Sequence, residues 1–193
     1  EIIKCDWSSD VCSSDLHDWA VTQNNLALAH ACAQFAAANP AGLQATLSGP
    51  TGERNVYRVQ ARARVLCLTG DQPSADADRL LQLAAVLAVG ARALWPTSAQ
   101  PLWQSLPPAV QTRVSMALDV LAAPAEAALL HADAPTCLHT AQALARRPGA
   151  LIGLTALRPG DDAIALARLV CERSISTNTA AAGGNASLMT LSA

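Results

Sequence analysis

Aromatic side chains make up only 3% of the chain and charged ones only 15%. So few aromatics argue against an all-β sandwich, whose inner faces draw on aromatic and β-branched residues. A formal net charge of −2 offers no basic stripe, so the sequence gives no reason to expect nucleic acid or an acidic membrane surface as a partner. Long hydrophobic runs are missing as well. The longest, Leu80 to Val89, is bracketed by Arg79 and Arg92 and is far too short to span a bilayer, so no transmembrane segment is expected. No apolar h-region with a small-residue cleavage site follows the start, so no signal peptide is read and the cytoplasm is the expected compartment.

Lysine is nearly absent. Lys4 stands alone, and every basic residue from Arg54 onward is arginine, a bias that fits a GC-rich coding sequence. The opening Glu1-Ile2-Ile3-Lys4-Cys5 does not share it, and Asp6 to Leu16 (DWSSDVCSSDL) shows neither a helical nor a strand period. Back-translated, that segment resembles a common sequencing-library adapter read in one frame. Residues 1–16 are therefore expected to be foreign to the natural protein and are set aside in the fold argument. Setting them aside removes Cys5 and Cys12. The remaining cysteines, Cys32, Cys67, Cys137 and Cys171, lie far apart with no C-x-x-C among them. Each sits in an apolar run, as expected for small buried thiols in a reducing compartment.

What the chain has in abundance is Ala, Leu and Val; apolar residues reach 51%. From Trp19 to Ala38 it is Ala-rich and helix-permissive, stopped by Asn39-Pro40-Ala41-Gly42. Ser48-Gly49-Pro50-Thr51-Gly52 is a turn cluster, Asn55 to Val59 alternates as a strand does, and Arg64 to Thr69 is a buried strand. A polar loop, Asp71 to Asp78, leads into a largely buried helix over Ala75 to Val89, ended by Gly90. Ala91 to Pro96 reads as a strand, followed by a short helix with loops through Pro107-Pro108. Ala127 to His131 is a further strand and Pro135 to Arg147 a helix. Leu151 to Thr155 is another strand, Ile164 to Val170 a short helix, and Ser174 to Thr179 a polar strand. This alternation predicts an α/β domain on a parallel, Rossmann-like sheet.

The motifs of chemistry are largely wanting. A dinucleotide site needs G-x-G-x-x-G between a first strand and its helix. Here the strand ending at Leu68 leads into Thr69-Gly70-Asp71-Gln72-Pro73, with a single glycine. Gly49-Pro50-Thr51-Gly52-Glu53-Arg54 lacks the Lys-Ser/Thr end of a phosphate loop and precedes a strand, so it reads as a turn. Cys171-Glu172 sets a thiol beside an acid, but neighbours on a strand face opposite ways and no histidine lies near in sequence. His131 and His139 lack an i+4 partner or a nearby carboxylate pair, so no metal site is expected. The segment that stands out is the end of the chain, Glu172 to Thr190. There a strand bearing hydroxyl and amide side chains passes into small residues and two glycines. Such a tail can lie in a groove or add to a sheet edge.

That tail resembles the extreme C-terminus of the long forms of proline utilization A, the bifunctional proline catabolic flavoenzymes. The resemblance continues upstream through Gly49 to Asn55, Arg64 to Cys67, Gln82 to Gly90 and Leu94-Trp95-Pro96, and covers nearly everything after residue 17. It departs at the closing Leu191-Ser192-Ala193 and is indistinct from Ala99 to Glu126. What the resemblance implies is a C-terminal domain with a degenerate aldehyde dehydrogenase fold, carrying an N-terminal helical connector and an extended tail. The expected division is 17–48 for the connector, 49–171 for the Rossmann-like domain and 172–193 for the strand and docking tail. The family's FAD-dependent proline dehydrogenase and NAD-dependent semialdehyde dehydrogenase domains lie upstream, and no residue here matches their flavin, NAD or nucleophile motifs. The resemblance thus implies no catalytic, cofactor-binding or metal residue in this chain. It implies a domain that covers the cavity between the two active sites. Its tail, including Asn178, Thr179, Ala180, Gly183, Gly184, Asn185, Ser187 and Met189, would dock on the aldehyde dehydrogenase domain. A homo-oligomeric parent, in the cytoplasm or peripheral at the inner membrane, is compatible with it. The alternatives are a free-standing NAD-dependent aldehyde dehydrogenase and an independent interaction module.

Overall fold

Two sheets organise the chain, where the alternation of elements predicts one. The computed structural model describes residues 2–4 and 9–179. Its parallel sheet has the order β6-β5-β4-β7-β8, built from β4 (Arg64–Thr69), β5 (Arg92–Pro96), β6 (Val114–Ala117), β7 (Ala127–His131) and β8 (Gly153–Leu157). An antiparallel sheet has the order β1-β2-β3-β9, from β1 (Ile2–Lys4), β2 (Leu43–Leu47), β3 (Glu53–Ala61) and β9 (Val170–Asn178). The strands expected at Asn55–Val59 and Ser174–Thr179 exist but pair with each other, Glu53 opposite Asn178 through Ala61 opposite Val170. Their polar, half-exposed composition suits an antiparallel ribbon, whereas parallel strands covered on both faces are apolar throughout.

β4 meets that second requirement. Val65 and Cys67 pack toward one face, Leu66 and Leu68 toward the other, each in its own apolar cluster. The first face is covered by α1 (Ser9–Thr22), α2 (Leu26–Ala38) and α3 (Ala75–Ala88). The second is covered by α6 (Ala134–Ala145), through Leu144. The result is a three-layer α/β arrangement with crossovers β4–α3–β5 and β7–α6–β8. α4 (Gln100–Ser105) and α5 (Pro108–Gln111) lead from β5 into β6.

The helix expected from Trp19 to Ala38 is two helices. Asn24 adopts φ 57°, and Asn25 caps α2 by accepting a bond of 3.1 Å from the amide of Leu28. A left-handed turn is open to asparagine at modest cost, so this pair reverses the chain where an alanine run would continue. α1 also reaches back to Ser9, inside the segment without a helical period, and Leu16 is fully buried. β2 interrupts the span expected to be a helical connector. The turn at Gly49 to Arg54 is as expected: it joins β2 to β3, with Gly52 at φ 90°. Gly90, at φ 82°, ends α3, its amide donating to Leu87 O and that of Ala91 to Val86 O. The expected helix at Ile164 to Val170 is a 3-10 turn, Leu166–Leu169.

Asp133 caps α6, accepting a 2.9 Å bond from the Thr136 amide. The Thr136 hydroxyl and amide together hold the Asp133 carboxyl below its usual range. A lowered folded pKa contributes stability above the unfolded carboxylate range, and that contribution is lost as pH falls through the lowered value. Asp133→Ala is therefore expected to lower the urea midpoint at neutral pH, and the gap from wild type should close as the solution is made acidic. A gap independent of pH would remove the charge from the account of this cap.

Candidate functional site

In an open parallel sheet, ligands settle beyond the carboxyl ends of the strands, where connections leave in opposite directions. Here that point lies between β4 and β7. β4 connects through α3 to β5 on one side, and β7 through α6 to β8 on the other. A crevice of about 390 Å³ opens there, with Thr69, Asp71, Arg79, Ser98, Thr136 and Thr140 among its lining.

The turn after β4 is filled from within. The amide of Gly70 donates to His131 O at 2.8 Å, and a Cβ on Gly70 would stand 2.6 Å from Gln72 Oε1. Gln72 Nε2 donates to His131 O (2.9 Å) and to Asp78 Oδ2 (3.1 Å). Ser74 precedes α3 but does not cap it with its side chain; its hydroxyl donates to Asp78 Oδ2 at 2.8 Å. Asp78, 2% exposed, also accepts from the amide of Gly160 at 2.9 Å. A buried carboxylate therefore occupies the first turn of α3, where the positive end of the helix favours it.

Behind it lies a second polar set. His131 and Gln82 are fully buried. Gln82 Nε2 donates to Leu68 O (2.8 Å) and lies 2.7 Å from His131 Nδ1, while His131 Nε2 is 2.8 Å from Asp161 O. Gln82 Nε2 has only hydrogens to offer, so His131 Nδ1 accepts from it and Nε2 donates to Asp161 O. These bonds join α3 to the ends of β4 and β7, and β7 to loop 158–162. The chemistry is that of a latch: the acceptor left over, Gln82 Oε1, is buried without a partner, and an amide oxygen is too weak a base to take a proton from a bound molecule.

Of the expected docking tail, Asn178 ends β9 opposite Glu53, and the Thr179 amide donates to Gly52 O at 2.7 Å. Ala180, Gly183, Gly184, Asn185, Ser187 and Met189 lie outside the described residues. Cys171 stands opposite Gln60 and Glu172 opposite Val59, as alternation demands. Cys32, Cys67, Cys137 and Cys171 are all free; burial pushes Cys32 and Cys67 up to about 12, far from a reactive thiolate. His139 is exposed on α6, and no group among the described residues could hold a metal ion. Asp78, Arg79 and Gln82 carry no motif that marks them as functional positions. Their one signal is polarity inside a helix otherwise apolar on nearly every side.

No family model matches the chain. It is 43% identical over 180 residues to the bifunctional protein PutA of Escherichia coli strain K12, and 46% identical over 180 residues to that of Salmonella typhimurium. Each match covers 91% of this chain and 13% of the relative. Among solved structures, an NADP-dependent glyceraldehyde-3-phosphate dehydrogenase from Bacillus halodurans superposes with a TM-score of 0.53. That match has 8% identity and covers 79% of this chain and 40% of that one. Identity so low speaks for the fold alone, which this chain shares with part of that dehydrogenase. Over nine-tenths of its length, the chain is the counterpart of a segment of the bifunctional PutA proteins.

Proposed function

We propose that this chain is the non-catalytic C-terminal module of a long proline utilization A enzyme, a degenerate aldehyde dehydrogenase domain that covers the cavity between two active sites. The observation that carries this reading is the filled turn after β4. A Rossmann domain binds pyrophosphate on bare amides at the start of this helix. Here Gln72 fills the corner and the Asp78 carboxylate is buried in the first turn. A dinucleotide would meet a buried anion in place of glycine amides, which opposes binding by like charge in a low dielectric. The likeness to PutA proteins over 91% of the chain supports the parentage.

In the parent, FAD serves proline oxidation and NAD serves oxidation of the semialdehyde, both on upstream domains. The module's partners are those domains, above all the aldehyde dehydrogenase domain, within a homo-oligomer. The tail from Asn178 to Met189 docks there, following on from β9, which pairs with β3 as far as Asn178. Its effect is kinetic: it keeps a reactive intermediate from bulk water. The first sixteen residues are foreign on this reading, although Leu16 is fully buried.

The test uses the intact parent and two shortened versions, one ending before Glu172 and one after Thr179. The second keeps the β3–β9 ladder and removes only the tail. Fed proline and NAD, both shortened forms are expected to show a lag in NADH appearance, with each half-reaction unchanged when assayed alone. No lag in either would sink the covering role and leave a stabilising or oligomerisation element. A lag in the shorter form alone would assign the seal to β9 and take it from the tail.

A further inference from the structure

The crevice holds a cation that the latch does not use. The Arg79 side chain is only 9% exposed, yet it is poorly satisfied. Nη2 donates to Thr69 Oγ1 at 2.7 Å. Nε is buried with no partner. The Asp76 carboxylate stands 3.6 Å from Nη1, beyond hydrogen-bond reach, and is itself largely in solvent. A guanidinium has five N–H donors in a fixed fork, and leaving a buried charge so underused is costly unless something completes it. Asp76 and the Trp95 ring, 6.0 Å from the guanidinium carbon, offset part of that charge, and the crevice that Arg79 lines is the open approach for a further partner.

The surroundings narrow the choice of ligand. Hydroxyls of Thr69, Ser98, Thr136 and Thr140 stand around the opening. Leu68, Leu130, Val120 and Leu121 supply apolar walls. Asp71 is also in the lining, and Asp76 and Asp78 stand within the first turn of the same helix. Three carboxylates so near oppose a phosphate dianion or a pyrophosphate, whereas one negative charge is met by Arg79. Two parallel N–H bonds from a guanidinium match the two oxygens of a carboxylate. An apolar tail would then cover the leucines. The volume of about 390 Å³ is at the small end for ligand pockets, large enough for a short-chain acid.

We propose that this crevice binds a small organic monocarboxylate with a short apolar tail, its carboxylate held by Arg79 and by the Thr140 hydroxyl of α6. The site does not depend on the covering role described above. It would also stand in a chain with no tail.

Hexanoate is the probe, titrated into the 193-residue chain by calorimetry and by the arginine side-chain N–H resonances, with inorganic phosphate and NAD as parallel arms. Saturable hexanoate binding is expected, with the Arg79 Nη–H signals shifting. Arg79→Met should weaken it by about tenfold or more, the loss of a charge-assisted pair. Thr140→Val should weaken it by a few-fold. Leu121→Trp, which fills the crevice and leaves Arg79 in place, should abolish binding in a chain whose circular dichroism is unchanged, and it serves if Arg79→Met does not fold. No saturable hexanoate binding, equal binding by the filled variant, or binding of phosphate or NAD in place of hexanoate would each overturn the proposal.

Discussion

Trp95→Ala is expected to cost about 3–5 kcal/mol of stability, the range for a large aromatic truncated in a packed core. Trp95 is fully buried near the C-terminal end of β5 and belongs to the cluster beneath α3. The Arg79 guanidinium lies over its ring, 6.0 Å from the centroid, and loses that face as well. Trp95→Phe should cost far less, about 1–2 kcal/mol, because it keeps a ring under Arg79 and gives up only part of the volume. It also gives up nothing in hydrogen bonding. The indole N–H is buried without a partner, and the neighbouring Cys67 thiol, kept neutral by burial, is a weak acceptor at best. Urea unfolding of the two variants beside wild type measures the difference. Equal losses would mean that the indole N–H, and not the ring's volume, holds this part of the core.

The parallel sheet was legible because its strands carry their burial in their own residues. Arg64 to Thr69 and Ala127 to His131 are apolar runs of strand length between turn signals, and both stand where expected, as β4 and β7. α3 was equally plain, apolar on all sides with Gly90 to end it. β8 begins two residues later than its apolar run, at Gly153, an ordinary boundary error. Of the second sheet, β3 and β9 were legible as strands but their pairing was not. β2 (LQATL), in that sheet, has one β-branched residue and an incomplete alternation, and β6 (VSMA), at the edge of the parallel sheet, is only four residues long. What makes strands of them is pairing with β3 and β5, and pairing partners distant in sequence leave no local mark. The break at Asn24-Asn25 did have a mark, since adjacent asparagines suit a left-handed turn followed by a cap. An alanine-rich context outweighed it.

The interior polar network was the least legible part. Asp78 read as loop, Arg79 as the flank of an apolar run, His131 as a strand end. Gln82 alone lies in the middle of an apolar stretch, and a single buried amide does not reveal its partner. The network closes because β7 runs beside β4, setting His131 opposite Thr69 and within reach of α3. Loop 158–162 then folds over both. Absence of a glycine fingerprint was visible from residue order alone. What stands in its place needed the crossing of three segments.

Asp78→Ala is expected to cost about 3 kcal/mol, since a buried carboxylate with three donors is removed and the donors stay behind. The donors are the Gly160 amide at 2.9 Å, Ser74 Oγ at 2.8 Å and Gln72 Nε2 at 3.1 Å. Ser74 can turn toward solvent, and Gln72 keeps His131 O as an acceptor. The Gly160 amide has no such alternative in the present geometry, so it should register the change most sharply. Its hydrogen exchange is expected to accelerate well beyond the shift in global stability, while the amide of Cys67, inside β4, follows the global change alone. Asp78→Asn separates charge from shape. It keeps an oxygen for Gly160 but turns an amide toward two donors, so it should protect Gly160 while recovering only part of the stability. Unaltered exchange at Gly160 in Asp78→Ala would mean that loop 158–162 is held by His131 and Asp161 without this carboxylate. If exchange rises as expected, Asp78 fastens the segment that carries the chain from β8 toward β9. Asp78, in the first turn of α3, then also bears on the course of β9.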